Sequence, residues 1–312
     1  MKKVFLLLLI FITYQSFGQS IPCQKVPQTL SHIGKIRAFM RQRVYNRKNR
    51  NLKKHIGYKE ITSISYSPNA FLDILMKVTD TSSHYDGLRV YYAVYPKTSN
   101  DIDSSYISIG MNNRFTLIYV PTIWADSSKE HLDDLKNCWI IKNNEPNAIA
   151  INLTDPKQTD FISKWIWNYD TTRWNFLNIE GSKHTRRNKV QFQETKSMWY
   201  DAGFLKHNDS NSGLIDYLNY FMCKKKINTV RIKFTGYALR TYTFSDHLSL
   251  VFNFYKNKKR DDISTINIAP SYDNYLTKEV NSKSISSGNT DTGVPCPPYP
   301  QGQTKCPGSL PQ

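Results

Sequence analysis

The residues best suited to chemistry are few and spread along the chain. His131-Leu132-Asp133-Asp134 sets an imidazole beside two carboxylates, a combination that can move protons. Asp101-Ile102-Asp103 puts two carboxylates in one loop, the donor type that a hard cation takes. Cys138 and Cys223 are thiols that His84, His184, His207 or His247 could activate as nucleophiles. Each set also has a plainer reading. Loop acids keep a surface solvated, and cysteines of a secreted chain are buried or disulfide-bonded. No G-x-S-x-G, H-E-x-x-H, P-loop or dinucleotide-binding turn occurs, and 13 glycines leave little material for phosphate-cradling loops. The sequence assigns no catalytic residue, no metal ligand set and no cofactor.

Two arginines stand out because their surroundings repeat. Gly87-Leu88-Arg89-Val90-Tyr91-Tyr92-Ala93-Val94-Tyr95 is echoed by Thr229-Val230-Arg231-Ile232-Lys233-Phe234-Thr235-Gly236-Tyr237. Both alternate large apolar residues with other types, the period-two pattern of a half-buried strand. Asp73 stands upstream of Arg89 in Phe71-Leu72-Asp73-Ile74-Leu75, and Asp216 stands upstream of Arg231 in Leu214-Ile215-Asp216-Tyr217-Leu218. The near-equal spacing predicts two structural ion pairs, Asp73 with Arg89 and Asp216 with Arg231, held by charge-assisted bonds. An anion-binding arginine is the rival role.

The elements that would position these residues repeat in the same order. Glu60, Ser63 and Tyr66 answer to Glu194, Ser197 and Tyr200, and Phe115 to Tyr119 answers to Leu248 to Phe252. Each unit reads as a helix, a short apolar helix, a strand, a hairpin and a strand. The second carries an insertion, residues 203–211. Pro121 to Asp155 looks like an elaboration, with Trp139-Ile140-Ile141 and Ala148-Ile149-Ala150-Ile151 flanking a turn-forming stretch as a further hairpin.

Leu30 to about Arg50 reads as a helix, with Ile33, Ile36, Met40 and Val44 as its apolar stripe and Ser31 as a possible cap. Its other face is rich in base: Arg37, Arg41, Arg43, Arg47 and Lys48, with Lys35, Arg50, Lys53 and Lys54 close by. That face can bind a polyanion, or it can be an ordinary solvated surface. The matching helix is Thr159 to about Leu177, capped at Thr159 or Asp160. Its core stripe is Phe161, Ile162, Trp165, Ile166 and Tyr169.

Lys2 and Lys3, an apolar run from Val4 to Thr13 and the small residues of Ser16-Phe17-Gly18 read as a signal peptide cut near Gly18/Gln19. The formal charge is +17. A basic exported protein is drawn to polyanions such as lipopolysaccharide or acidic polysaccharide, or to an envelope protein. No other stretch approaches the ~20 apolar residues of a membrane-spanning helix. Five cysteines leave an odd one over, and Cys296 and Cys306 in one Pro-rich tail are candidates for a local disulfide. Pro295-Cys296-Pro297-Pro298-Tyr299-Pro300 cannot hold a helix or a central strand. The reading divides the chain into a signal peptide (1–18), a first α+β unit with the extra hairpin (19–157), a second α+β unit (158–280) and a flexible tail (281–312).

The strands Gly87 to Tyr95 and Thr116 to Thr122, with the element Pro295 to Tyr299, resemble motifs of a family of secreted Bacteroidota proteins. Its members carry a GxRxYF strand, a TLVxV strand and a final Cys-Pro-Pro-x-Cys. This chain departs from the pattern at Pro300, where the second close cysteine would stand, and at Thr229, where the echoed strand lacks the glycine. The resemblance implies export and carries no activity. The expected fold is α+β: two degenerate tandem units, each with helices on a small antiparallel sheet, and a Pro-rich tail. The expected function is binding through basic surfaces. The alternative is a secreted hydrolase with a site between the units.

Overall fold

The computed structural model describes residues 39–80, 82–98, 105–108, 110–127, 131–142, 145–177, 196–206, 213–236 and 248–256, together with the backbone of 35–38, 130 and 294–296. The signal peptide, Asp101-Ile102-Asp103, His184, His207, His247, Glu194 and the Cys296–Cys306 pairing lie outside these residues.

In chain order the elements are α1 (Lys35–Ile56), β1 (Ser63–Tyr66), α2 (Pro68–Thr79), β2 (Gly87–Val94), β3 (Phe115–Ala125), β4 (Glu130–Asp133), β5 (Cys138–Ile140), β6 (Ile149–Ile151) and α3 (Pro156–Tyr169). They continue with β7 (Ser197–Asp201), α4 (Ala202–Leu205), α5 (Leu214–Tyr220), β8 (Thr229–Gly236), β9 (Leu248–Tyr255) and β10 (Val294–Cys296). The fold is α+β, with helices packed on antiparallel sheets.

The sheets exchange their strands. One has the order β1-β8-β9, and the other runs β10-β7-β2-β3-β5-β6, with β4 also paired to β3. The early strand β1 thus joins the late hairpin, and the late strand β7 joins the early one. The boundary between residues 157 and 158 is crossed in both directions. The registers correspond as the echoed residues do. Ser65 stands opposite Arg231 and Tyr66 opposite Val230, while Trp199 stands opposite Arg89 and Tyr200 opposite Leu88. Tyr92 faces Leu117, and Phe234 faces Leu250. The helices follow the strands: Tyr45 of α1 stacks on Phe234, and Tyr169 of α3 stacks on Tyr92.

One core lies between the sheets, formed by Leu88, Val90, Tyr92, Tyr119, Tyr200, Ile232 and Phe252 with α2 and α5. A second core lies under α3, where Tyr91, Tyr95, Ile118 and Ile140 meet Phe161, Ile162 and Trp165. Every position of β2 is therefore buried, not every other one. The alternation in its sequence separates two cores instead of core from water.

Local sequence explains the helix ends. Pro68 and Pro156 sit in first turns, where the missing N–H costs nothing. The cap of α3 is Asp155, whose carboxylate accepts from Lys157 N at 3.0 Å, instead of Thr159 or Asp160. After Tyr169 a π turn, Asp170–Trp174, carries the helical path on. Helix α1 runs six residues past Arg50 and ends before Gly57, whose φ of +84° suits glycine. Its buried stripe is Arg41, Tyr45, Lys48, Asn49 and Leu52. The expected stripe fails there, since Met40 is exposed and Val44 only half-buried.

The Pro-rich tail contributes a short edge strand. Pro295 pairs opposite Met198 at the rim of the sheet, a position that a residue without an N–H can occupy.

Candidate binding surfaces

Neither expected ion pair forms. Asp73 binds Lys77 one helical turn on, at 2.9 Å, with both side chains about half exposed. Asp216 turns back to accept from the amide of Gly213 at 2.9 Å, closing the first turn of α5. Local helix partners outcompete a strand arginine that lies across a sheet. Arg89 instead donates to Asp133 at 2.6 Å and to the His131 carbonyl at 3.0 Å. Arg231 lies over the ring of Tyr255 at 4.5 Å and reaches Ser65 Oγ at 3.4 Å.

The pairing of Arg89 leads to a polar cluster at the far end of β2 and β3, on the face away from the central core. Strand β4 brings it there: its register sets His131 beside Trp124 and Asp133 beside Thr122. Asp133 is buried, and it accepts from Tyr91 Oη at 2.5 Å as well as from Arg89. His131 Nδ1 meets Asp86 Oδ2 at 2.6 Å. Thr122 Oγ1 donates to Asp86 Oδ1 at 2.6 Å, and Trp199 Nε1 donates to Thr122 Oγ1 at 2.9 Å. Asp86 is itself fixed by its backbone. Its N–H donates to Thr122 O, and its carbonyl accepts from Ala202 N, both at 2.9 Å.

Aromatic rings flank the imidazole. Trp199 lies 4.0 Å from it between centroids, tilted by 30°, and Trp124 lies 4.9 Å away. Gly87 makes this possible. A Cβ there would meet Trp199 Nε1 at 2.6 Å and the Tyr200 carbonyl at 2.6 Å. The indole crosses the strand only because that position carries no side chain.

In the neutral imidazole, the contact with Asp86 places the proton on Nδ1 and leaves Nε2 as an acceptor. The His131 side chain is one-third exposed, and Nε2 makes no hydrogen bond to a described residue. No hydroxyl or thiol among the described residues is bonded to it as a nucleophile would be. Cys138 is a free thiol, but it is buried and directed at the Asp134 carbonyl at 3.4 Å. Burial, then the charges of Asp133 and Asp134, push its pKa well up. Cys223 is disulfide-bonded. His84 sits exposed in a turn at φ +56°. Among the described residues, no three His, Cys, Asp or Glu side chains gather to hold a metal ion.

The basic helix splits into two faces. Arg41 and Lys48, two of the five expected binding residues, are buried. Arg43 and Arg47 are exposed, as are Arg50, Lys53 and Lys54, while the side chain of Arg37 lies outside the described residues. Arg43, Arg47, Arg50 and Lys54 follow each other at spacings of three and four, which sets them in one row along the helix. The 22 residues of α1 contain no carboxylate.

A further buried hub ties early and late segments together. Arg173, in the π turn after α3, pairs with Glu60 at 2.9 Å with both side chains fully buried. Glu60 also accepts from the backbone of Ile61 at 2.9 Å, and its own backbone is bracketed by the Asn49 side chain. Its donors and acceptors are satisfied within the protein, so it is a structural tie. Spacing in the sequence gave no sign of it.

No described helix is long and apolar enough to cross a membrane. Compared with known proteins, the chain matches no family model, no curated protein and no solved structure.

Proposed function

We propose that this is a secreted or cell-envelope binding protein, without enzymatic activity, that holds an anionic polymer on the outer face of α1. The observation that carries this reading is the row Arg43, Arg47, Arg50 and Lys54, exposed on a helix that has no acid of its own. Of these, Arg43, Arg50 and Lys54 make no ion pair with a described residue. Lys53, Lys54 and His55 in the last turn add favourable charge at the helix C-terminus. A linear polyanion such as lipopolysaccharide or an acidic polysaccharide matches a straight row of cations. The basic balance of the whole chain draws it in at long range. The leader-like N-terminus and the resemblance to secreted Bacteroidota proteins support the envelope location.

The rival reading is a secreted hydrolase that uses His131 as a base. The Asp86–His131 contact favours it. The lack of a bonded nucleophile among the described residues and the engagement of Asp133 by Arg89 and Tyr91 weigh against it.

The test is binding of the mature chain to lipopolysaccharide and to an acidic polysaccharide across a salt series. Affinity should fall with salt. The double substitution Arg43→Glu and Arg50→Glu should weaken binding about tenfold or more, roughly 1.4 kcal/mol. Unchanged binding in that variant, with the fold intact by circular dichroism, would refute the reading.

A further inference from the structure

The cluster around His131 has the opposite character to α1, although the chain as a whole is strongly basic. Asp86 contacts the imidazole, Asp126 accepts from the neighbouring Trp124, and the one guanidinium bonded into the cluster, Arg89, is spent on Asp133. Such a place repels phosphate, sulfate and uronate groups. It nevertheless presents two features of a recognition site. Trp124 is 38% exposed on the outer part of β3, with its Nε1 donating to Asp126 Oδ1 at 2.8 Å. His131 beside it has an Nε2 that bonds no described residue, and its orientation is fixed by the chain of bonds from Trp199 through Thr122 and Asp86.

A structural role accounts for part of this. The Arg89–Asp133 pair alone anchors β4 to the sheet. It does not account for a partly exposed indole next to an imidazole that Asp86 holds in place. Exposed tryptophans are costly in water and are characteristic of contact surfaces.

We infer that Trp124 and His131 form a subsite for a neutral, hydroxyl-rich sugar ring. The apolar C–H face of the ring stacks on the Trp124 indole, and one of its hydroxyls donates to His131 Nε2. Asp86 acts as a positioning residue that keeps Nε2 an acceptor. Trp199, whose ring centroid lies 4.0 Å from that of the imidazole, packs against the ring and holds its orientation. The local acidity selects an uncharged saccharide over nucleic acid, even though a nucleobase can also stack on tryptophan. This inference is independent of polyanion binding at α1.

Isothermal titration of the full mature chain with neutral β-glucan and α-mannan oligosaccharides tests it. Alginate oligosaccharides, single-stranded DNA and choline serve as competing probes. The expected result is saturable binding of at least one neutral oligosaccharide, unchanged between 50 mM and 500 mM salt, on the order of a Debye-length change that abolishes surface charge effects. Trp124→Ala should lower that affinity at least tenfold. Asp86→Asn should lower it severalfold, and the Arg43→Glu/Arg50→Glu variant should leave it unchanged. Trp124 is exposed, so its replacement tests the site without unfolding the protein; thermal melting of each variant checks this. No binding of any neutral sugar would overturn the inference. So would equal binding by Trp124→Ala, or binding confined to choline, DNA or alginate.

Discussion

Arg89 and Arg231 occupy matching positions in two matching strands, yet they live in different surroundings. Arg89 is sealed under an added hairpin, with Asp133 and the His131 carbonyl as partners. Arg231 is half-exposed, rests on Tyr255 and reaches only a serine. The residue opposite each arginine differs in size to match. Trp199 faces Arg89, and its indole lies over Gly87; Ser65 faces Arg231, and the position matching Gly87 carries Thr229. One volume is exchanged for another across the strand pair. The Arg89 side differs from the Arg231 side in three features: the β3–β4 hairpin covers it, a glycine clears a path, and an indole fills it.

Five substitutions would break or sharpen this comparison. The largest effect is expected from Asp133→Ala. It leaves the Arg89 guanidinium buried without its carboxylate, which costs about 3–5 kcal/mol. Chemical denaturation measures it, and a loss below about 1 kcal/mol would mean that Arg89 finds water or another partner. Next is Gly87→Ala, where the new methyl meets indole and backbone at 2.6 Å and should cost about 1–3 kcal/mol. Pairing it with Trp199→Ser, the arrangement of the other sheet, should recover part of that loss; two additive penalties would show that the two positions are uncoupled. Arg231→Ala should cost about 0.5–1 kcal/mol, the worth of an exposed cation on a ring.

The smallest effect concerns pH. The folded protein raises the Cys138 pKa by burial and by Asp133 and Asp134. The thiol therefore contributes stability that is fully present below the unfolded pKa of about 8.5 and is lost as pH rises above it. Cys138→Ala should flatten the alkaline fall in melting temperature. In the native protein at pH 8, Cys138 should resist alkylation; rapid labelling would contradict its burial.

These contrasts show what the sequence makes legible. The strand pairs β2/β3 and β8/β9 are readable because large apolar residues recur with period two. His131 and Asp133 are visible as a short motif. Their partners are not, because Asp86 is one acid among many in a loop and Trp199 arrives from a strand far along the chain. Spacing alone pairs Arg89 with Asp73, and spacing says nothing about a hairpin folded over the strand from elsewhere. The one available sign was Gly87, a glycine at a strand start where the echo has threonine. A glycine in a strand marks a close approach, and here it marks the Trp199 indole. On α1, charge counting could not separate Arg41 and Lys48 from Arg43 and Arg47, since all four have the same character and only packing against β8 divides them.

The exchange of β1 and β7 also governs the order in which the chain can fold. Ser65 and Arg231 are 166 residues apart. The first hairpin cannot gain its neighbour until residues near 200 have emerged, and β1 waits longer still for β8. Contacts so distant in sequence make for slow folding, because the loops between them close late. During synthesis, the first half presents an unfinished sheet edge along β2, open to wrong partners. A chain cut between the segments is left with two incomplete sheets, not one whole unit. A chain that cannot finish folding early also keeps its apolar strands available to other chains for longer.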